Sequence, residues 1–152
     1  MLEHIQISYI HRALNNMLKY ILIPLLFISC SIDKKREFDY PYEEIIAKAY
    51  TTYLRQSSRI LDRLFKDHEE YLSKIPLTTL IKQTRHEYTY RLSNDNDSLL
   101  EITACKEVVI ALLKRRFGFF TPSDHLESDI YTYCYYGDDS SVTSIINFVE
   151  AL

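Results

Sequence analysis

Glycine is nearly missing from this chain. Among 152 residues there are two, Gly118 and Gly137, and four prolines. Tight turns draw on these residues repeatedly, so a barrel or sandwich of many short strands does not suit the sequence. Internal repeats and low-complexity tracts are absent, which removes solenoid and collagen-like folds. The nucleophile elbow G-x-S-x-G needs a glycine pair that the chain does not have. A glycine-rich phosphate loop, C-x-x-C and H-E-x-x-H are absent too. Beyond Arg116 there is no lysine or arginine at all. What remains is 47% hydrophobic and 26% charged, a composition that suits one folded domain.

Hydrophobic periodicity places that domain in the all-α class, a bundle of about five helices over 41–152. Ile46, Tyr50, Tyr53, Ile60, Leu61, Leu64, Phe65 and Leu72 recur at threes and fours. They predict one long helix over Tyr42–Leu72, or two with a bend near Ser57-Ser58, with Asp39 as cap. Pro76 stops this run and starts the next, in which Leu77, Leu80, Ile81, Thr84 and Tyr88 share a face. Ser98-Leu-Leu-Glu101 reads as a capping box. Leu99, Ile102, Cys105, Val109, Leu112 and Leu113 follow it, and Lys114-Arg115-Arg116 and Gly118 end the helix. A hairpin near 86–104 is the alternative there. Thr121-Pro122-Ser123-Asp124 opens a helix with a stripe of Leu126, Ile130, Tyr133 and Cys134 and a stop at Gly137. A strand through Ile130–Tyr136 is its rival. Asp138-Asp-Ser-Ser141 then caps a last helix carrying Val142, Ile145, Ile146 and Val149.

The opening residues read as an address. Lys19 is followed by the apolar run Tyr20–Ile28, then Ser29 and Cys30. The uncharged run ends before Asp33, short of the about 20 residues a helix needs to cross a bilayer. Pro24 in its middle would cost a core helix about 3 kcal/mol. The segment resembles the lipobox of bacterial lipoproteins, with Phe27 standing where that pattern has leucine. Either Met17 is the start or residues 1–16 lengthen the basic region. The resemblance implies an export signal over 1–29 and a lipid on Cys30. It also implies a charged tether over 30–40 and, because Ser31 rather than aspartate follows Cys30, attachment to the outer membrane facing the periplasm. With Cys30 lipidated, Cys105 and Cys134 are left as an even pair. An oxidising compartment would join them in a disulfide; the other reading is two small buried hydrophobes.

No catalytic, metal-binding or cofactor-binding set emerges. His68, His86 and His125 are read as surface residues. The basic triplet at 114–116 is explained by a helix end, and a net charge of −3 argues against a nucleic-acid partner. Charge is nevertheless uneven. The segment after Arg116 holds Asp124, Glu127, Asp129, Asp138, Asp139 and Glu150 beside eight phenylalanines and tyrosines. Tyrosine is favoured at protein interfaces, and a negative field speeds encounter with a basic partner. The candidate protein-binding surface is therefore the stretch around Tyr131–Ser141, with Tyr135, Tyr136, Asp138 and Asp139 as its binding residues. The other reading has the acids solvating outer faces and the aromatics filling the core.

Leu113-Lys-Arg-Arg-Phe117, Tyr133-Cys-Tyr-Tyr136 and Ile145-Ile-Asn-Phe-Val149 resemble the C-terminal part of immunity proteins for type VI secretion amidase effectors. That resemblance covers about the last forty residues. It implies a non-enzymatic periplasmic inhibitor that blocks a cell-wall-degrading toxin with the loop Tyr136–Ser141. The alternative is a structural or adaptor lipoprotein of the envelope. A homodimer is the other partnership the sequence admits.

Overall fold

The computed structural model describes residues 36–152 apart from Ser57 and Asp95. The export-like segment 1–29, Cys30 and the first part of the 30–40 tether lie outside the described residues. Among those described there are seven helices and no strand. They are α1 (Pro41–Arg55), α2 (Ser58–Asp67), α3 (Glu69–Leu72), α4 (Leu77–Leu92), α5 (Ser98–Phe117), α6 (Asp124–Tyr136) and α7 (Asp139–Glu150). The all-α expectation holds, and both strand readings give way to helix. The count exceeds five because the stretch after Tyr42 breaks twice. One break is the bend expected near Ser57, where Gln56 leaves helical geometry. The other, at His68, was not foreseen from the sequence.

Helix starts follow local chemistry, with three corrections. Asp39 does not cap α1 with its side chain; instead its backbone N–H donates to Glu43 Oε2 at 3.0 Å, and Pro41 sits in the first turn. The α5 cap is Asp97, one residue earlier than expected, accepting from the N–H groups of Leu99 and Leu100 at 2.9 and 3.3 Å. Glu101 is then free of any capping role and turns into the core. The α6 cap is Ser123 rather than Thr121, accepting from Leu126 N–H at 3.2 Å. Each side-chain cap satisfies donors that the helix itself leaves unpaired.

Phe38–Leu152 forms one unit built around α5. Residues 108–113 are buried without interruption, so no side of this part of the helix faces water. A helix apolar all round belongs at a centre, and α1, α2, α4, α6 and α7 all pack on it. Each supplies the stripe its spacing foretold: Ile46 and Tyr50, Leu61 and Phe65, Leu80 and Ile81, Leu126 and Ile130, Val142 and Ile145. Two expected stripe residues are exceptions. Leu99 lies in the first turn of α5, beyond the reach of its neighbours, and Ile60 near the start of α2; both are exposed.

The core also holds a polar cluster. Arg91 donates to Glu87 at 2.9 Å and lies 3.5 Å from Glu101, while its Nη2 donates to Thr51 Oγ1 at 2.9 Å. The guanidinium sits over the Tyr50 ring, 5.3 Å from its centroid. Tyr50 in turn donates its hydroxyl proton to the Thr84 carbonyl at 2.7 Å.

Candidate functional site

The corner between α6 and α7 combines exposed aromatic surface with a braced backbone. Two anchors hold α6. Its inner side buries Leu126, Ile130 and Tyr133, and Cys134 is joined to Cys105 of α5 by a disulfide with the two Cα atoms 6.2 Å apart. Of the two readings of that cysteine pair, the bonded one is what the structure shows. The residues immediately after the bridge are the tyrosines singled out from the sequence. Tyr135 is 54% and Tyr136 72% exposed, and their rings meet edge to face with centroids 4.8 Å apart. Tyr131, one turn before Tyr135, is exposed as well. Beneath them lies Tyr88 of α4. Burial, then the neighbouring phenols of Tyr135 and Tyr131, raise its phenol above the usual range. Tyr133 points inward, and burial together with the nearby Asp139 carboxylate pushes its phenol up to about 12.

Gly137 makes the corner. Its φ of 73° is left-handed, a conformation that costs other residues a Cβ clash. Its N–H donates to the Tyr133 carbonyl at 2.7 Å, closing α6. A Cβ at this position would also run into the Arg85 guanidinium. Arg85 uses the space to donate from Nη2 to the Tyr136 carbonyl at 3.2 Å. Glycine is therefore favoured here by its conformation, and a side chain would displace Arg85 from the Tyr136 carbonyl.

The two aspartates behave differently from the tyrosines. Asp138 turns its carboxylate back onto α7, accepting from Ser140 N–H at 3.2 Å and Ser140 Oγ at 2.6 Å. The Ser140 hydroxyl, the Ser140 backbone and then Ser141 hold that carboxyl below the usual range despite some desolvation. Asp139 pairs with Lys82 of α4 at 2.9 Å. Further along the acidic segment, Glu127 is matched by Lys106 at 2.8 Å. Two of the six acids after Arg116 are thus met by lysines of α4 and α5. Residue numbering hid this, because both lysines lie far away in the chain.

Comparison with protein-family models, with curated proteins and with solved structures finds no match. What the corner does must be read from its own geometry. It offers three exposed tyrosines on a backbone fixed by a disulfide, a left-handed glycine and an arginine from α4. Such rigid amphipathic side chains lose little conformational freedom on binding. Among the described residues no group of three or more His, Cys, Asp or Glu is gathered for a metal ion. No described helix is long and apolar enough to cross a membrane. Sequence reasoning found Tyr135, Tyr136 and the cysteine pair. It missed Lys82 and Arg85 as braces, for which no local signal exists. Tyr131, where the candidate surface begins, joins the pair through its spacing of four from Tyr135.

Proposed function

We propose that this chain is a lipid-anchored envelope protein whose helical domain binds another protein through the α6–α7 corner. It acts without catalysis, as an immunity or inhibitor protein for a cell-wall-degrading toxin. The observation that carries the binding role is the pair Tyr135 and Tyr136, held exposed on a backbone that cannot readily collapse. The disulfide between Cys105 and Cys134 supports an oxidising compartment, where such bonds persist. The lipobox-like segment ending at Cys30 supports export and anchoring, and the likeness of residues 113–149 to amidase immunity proteins supports the inhibitory role.

Asp139 and Lys82 give the corner a local ion pair that a basic partner can exchange for its own cation. Steering by this face weakens as salt rises. Two measurements test the proposal. Radiolabelled palmitate is expected on the wild-type chain and absent from Cys30→Ser; an unlabelled wild type removes the anchor. A hydrolase encoded beside this gene is expected to bind the purified protein. Tyr135→Ala/Tyr136→Ala is expected to weaken that complex by about 2 kcal/mol or more, the range of aromatic hot spots. Full affinity in the double variant removes the corner from the interface.

A further inference from the structure

At the far end of α5 the structure gathers cations that the sequence leaves scattered. A groove of about 610 Å³ runs between α2 and the C-terminal turn of α5. Arg63 and Lys66 line it from α2, Lys114 and Arg115 from α5. Arg115 is taken up by an ion pair with Glu69. Arg63 and Lys66 are exposed and have no ion-pair partner among the described residues. Asp62 is the one further acid on the lining, so the groove keeps a positive excess. Arg59 stands one turn before Arg63 on the same helix and adds to it.

Phe119 stands at the mouth of this groove and is 90% exposed, the largest exposure of any large apolar side chain described. Gly118 turns the chain there with φ 89°. Lys114 lies over the Phe119 ring, 5.5 Å from its centroid. This arrangement differs from the tyrosine corner. Protein interfaces are depleted of lysine at their centres and surround their aromatics with other contact residues. An exposed aromatic at the mouth of a cationic groove, with Lys114 over its ring, instead matches an anionic lipid surface, where the ring enters the headgroup boundary and the cations meet phosphates.

We propose that the Arg63–Lys66–Lys114 groove with Phe119 is a docking face for anionic phospholipid headgroups. It would lay the domain on a membrane independently of any lipid at Cys30. The overall negative charge of the chain conceals this face, because the stretch after residue 116 carries acids and no lysine or arginine, whereas the cations of the groove all lie before it.

The chain has no tryptophan, so Phe119→Trp in the full-length protein supplies a single local reporter. Vesicles of equimolar phosphatidylglycerol and phosphatidylcholine are expected to shift its emission to the blue and to quench it when brominated lipids are included. Pure phosphatidylcholine vesicles are expected to do neither. Arg63→Gln/Lys66→Gln/Lys114→Gln in the same background is expected to weaken the anionic-vesicle response on the order of 100-fold, as three lost cations imply. Circular dichroism confirms that this surface variant is folded. Unshifted emission on anionic vesicles overturns the proposal, even where the protein floats with them through its N-terminal segment. An equal shift on both vesicle types overturns it too, as does a shift produced only by added envelope proteins in the absence of lipid. None of these outcomes bears on the tyrosine corner, which palmitate labelling and hydrolase binding test separately.

Discussion

Glu87 and Glu101 share the guanidinium of Arg91 inside the domain, so one buried carboxylate is short of a full partner. The shortfall falls on Glu101, whose Oε2 is buried without a hydrogen bond. Burial raises this carboxyl above the usual range, against the pull of Arg91. A raised value in the folded state means that the neutral form favours folding. That contribution is complete below the unfolded value, about 4.3 for glutamate, and is lost as pH climbs through the folded value. Glu101→Gln is therefore expected to remove a component of stability that declines from acid toward neutral pH. Arg91→Met strands Glu101, removes an ion pair from Glu87 and is expected to cost about 3–5 kcal/mol at neutral pH, with part recovered in acid. Urea unfolding at a series of pH values measures both. A profile for Glu101→Gln parallel to that of the wild type would show that this carboxyl does not titrate within the window. The spacing of Glu87 and Arg91 by four residues was visible in the sequence. That Glu101 would join them was not, because Ser98 to Glu101 has the form of a capping box and Asp97 takes the cap.

At the scale of elements, α5 decides the fold and the disulfide decides how firmly α6 sits on it. The bridge closes a loop of 29 residues in sequence, so the chain-entropy view assigns it about 3–4 kcal/mol. Cys105→Ala/Cys134→Ala is expected to lose about that much in chemical denaturation. Reductant is expected to destabilise the wild type and leave the variant unchanged; equal midpoints for wild type with and without reductant contradict a bridge. Helix positions were largely legible, since the stripes of α4, α6 and α7 emerge with the residues their periods named. The strand-favouring run Ile130–Tyr136 illustrates how context prevails over propensity. Ser123 and Gly137 fix both ends, and the helix buries Tyr133 together with Ile130 and Cys134, whereas a strand would turn Tyr133 to the opposite face. Boundaries were less legible. The break at His68 has no glycine or proline to announce it; past the other end of the short α3, Arg116 donates to the carbonyls of Leu72 and Ile75 at 3.3 and 2.8 Å.

At the scale of the whole molecule, sequence shows a slightly basic stretch up to Arg116 and an acidic, aromatic one after it, and the structure converts that division into two different surfaces. Of the six acids after Arg116, Asp138 is engaged by its own helix, Asp139 by Lys82 and Glu127 by Lys106. The tyrosines beside them remain open. The candidate site was thus half visible in the sequence: residue type and crowding marked Tyr135 and Tyr136, whereas the neutralising lysines come from helices distant in the chain. The central claim is that this tyrosine corner meets a protein partner in the cell envelope. A photoreactive phenylalanine analogue placed at Tyr136 in living cells tests it most directly, with the same probe at the exposed Leu99 as control. A discrete adduct with one envelope protein is expected from position 136 and none from position 99. No adduct at 136, or the same pattern from both positions, would contradict it.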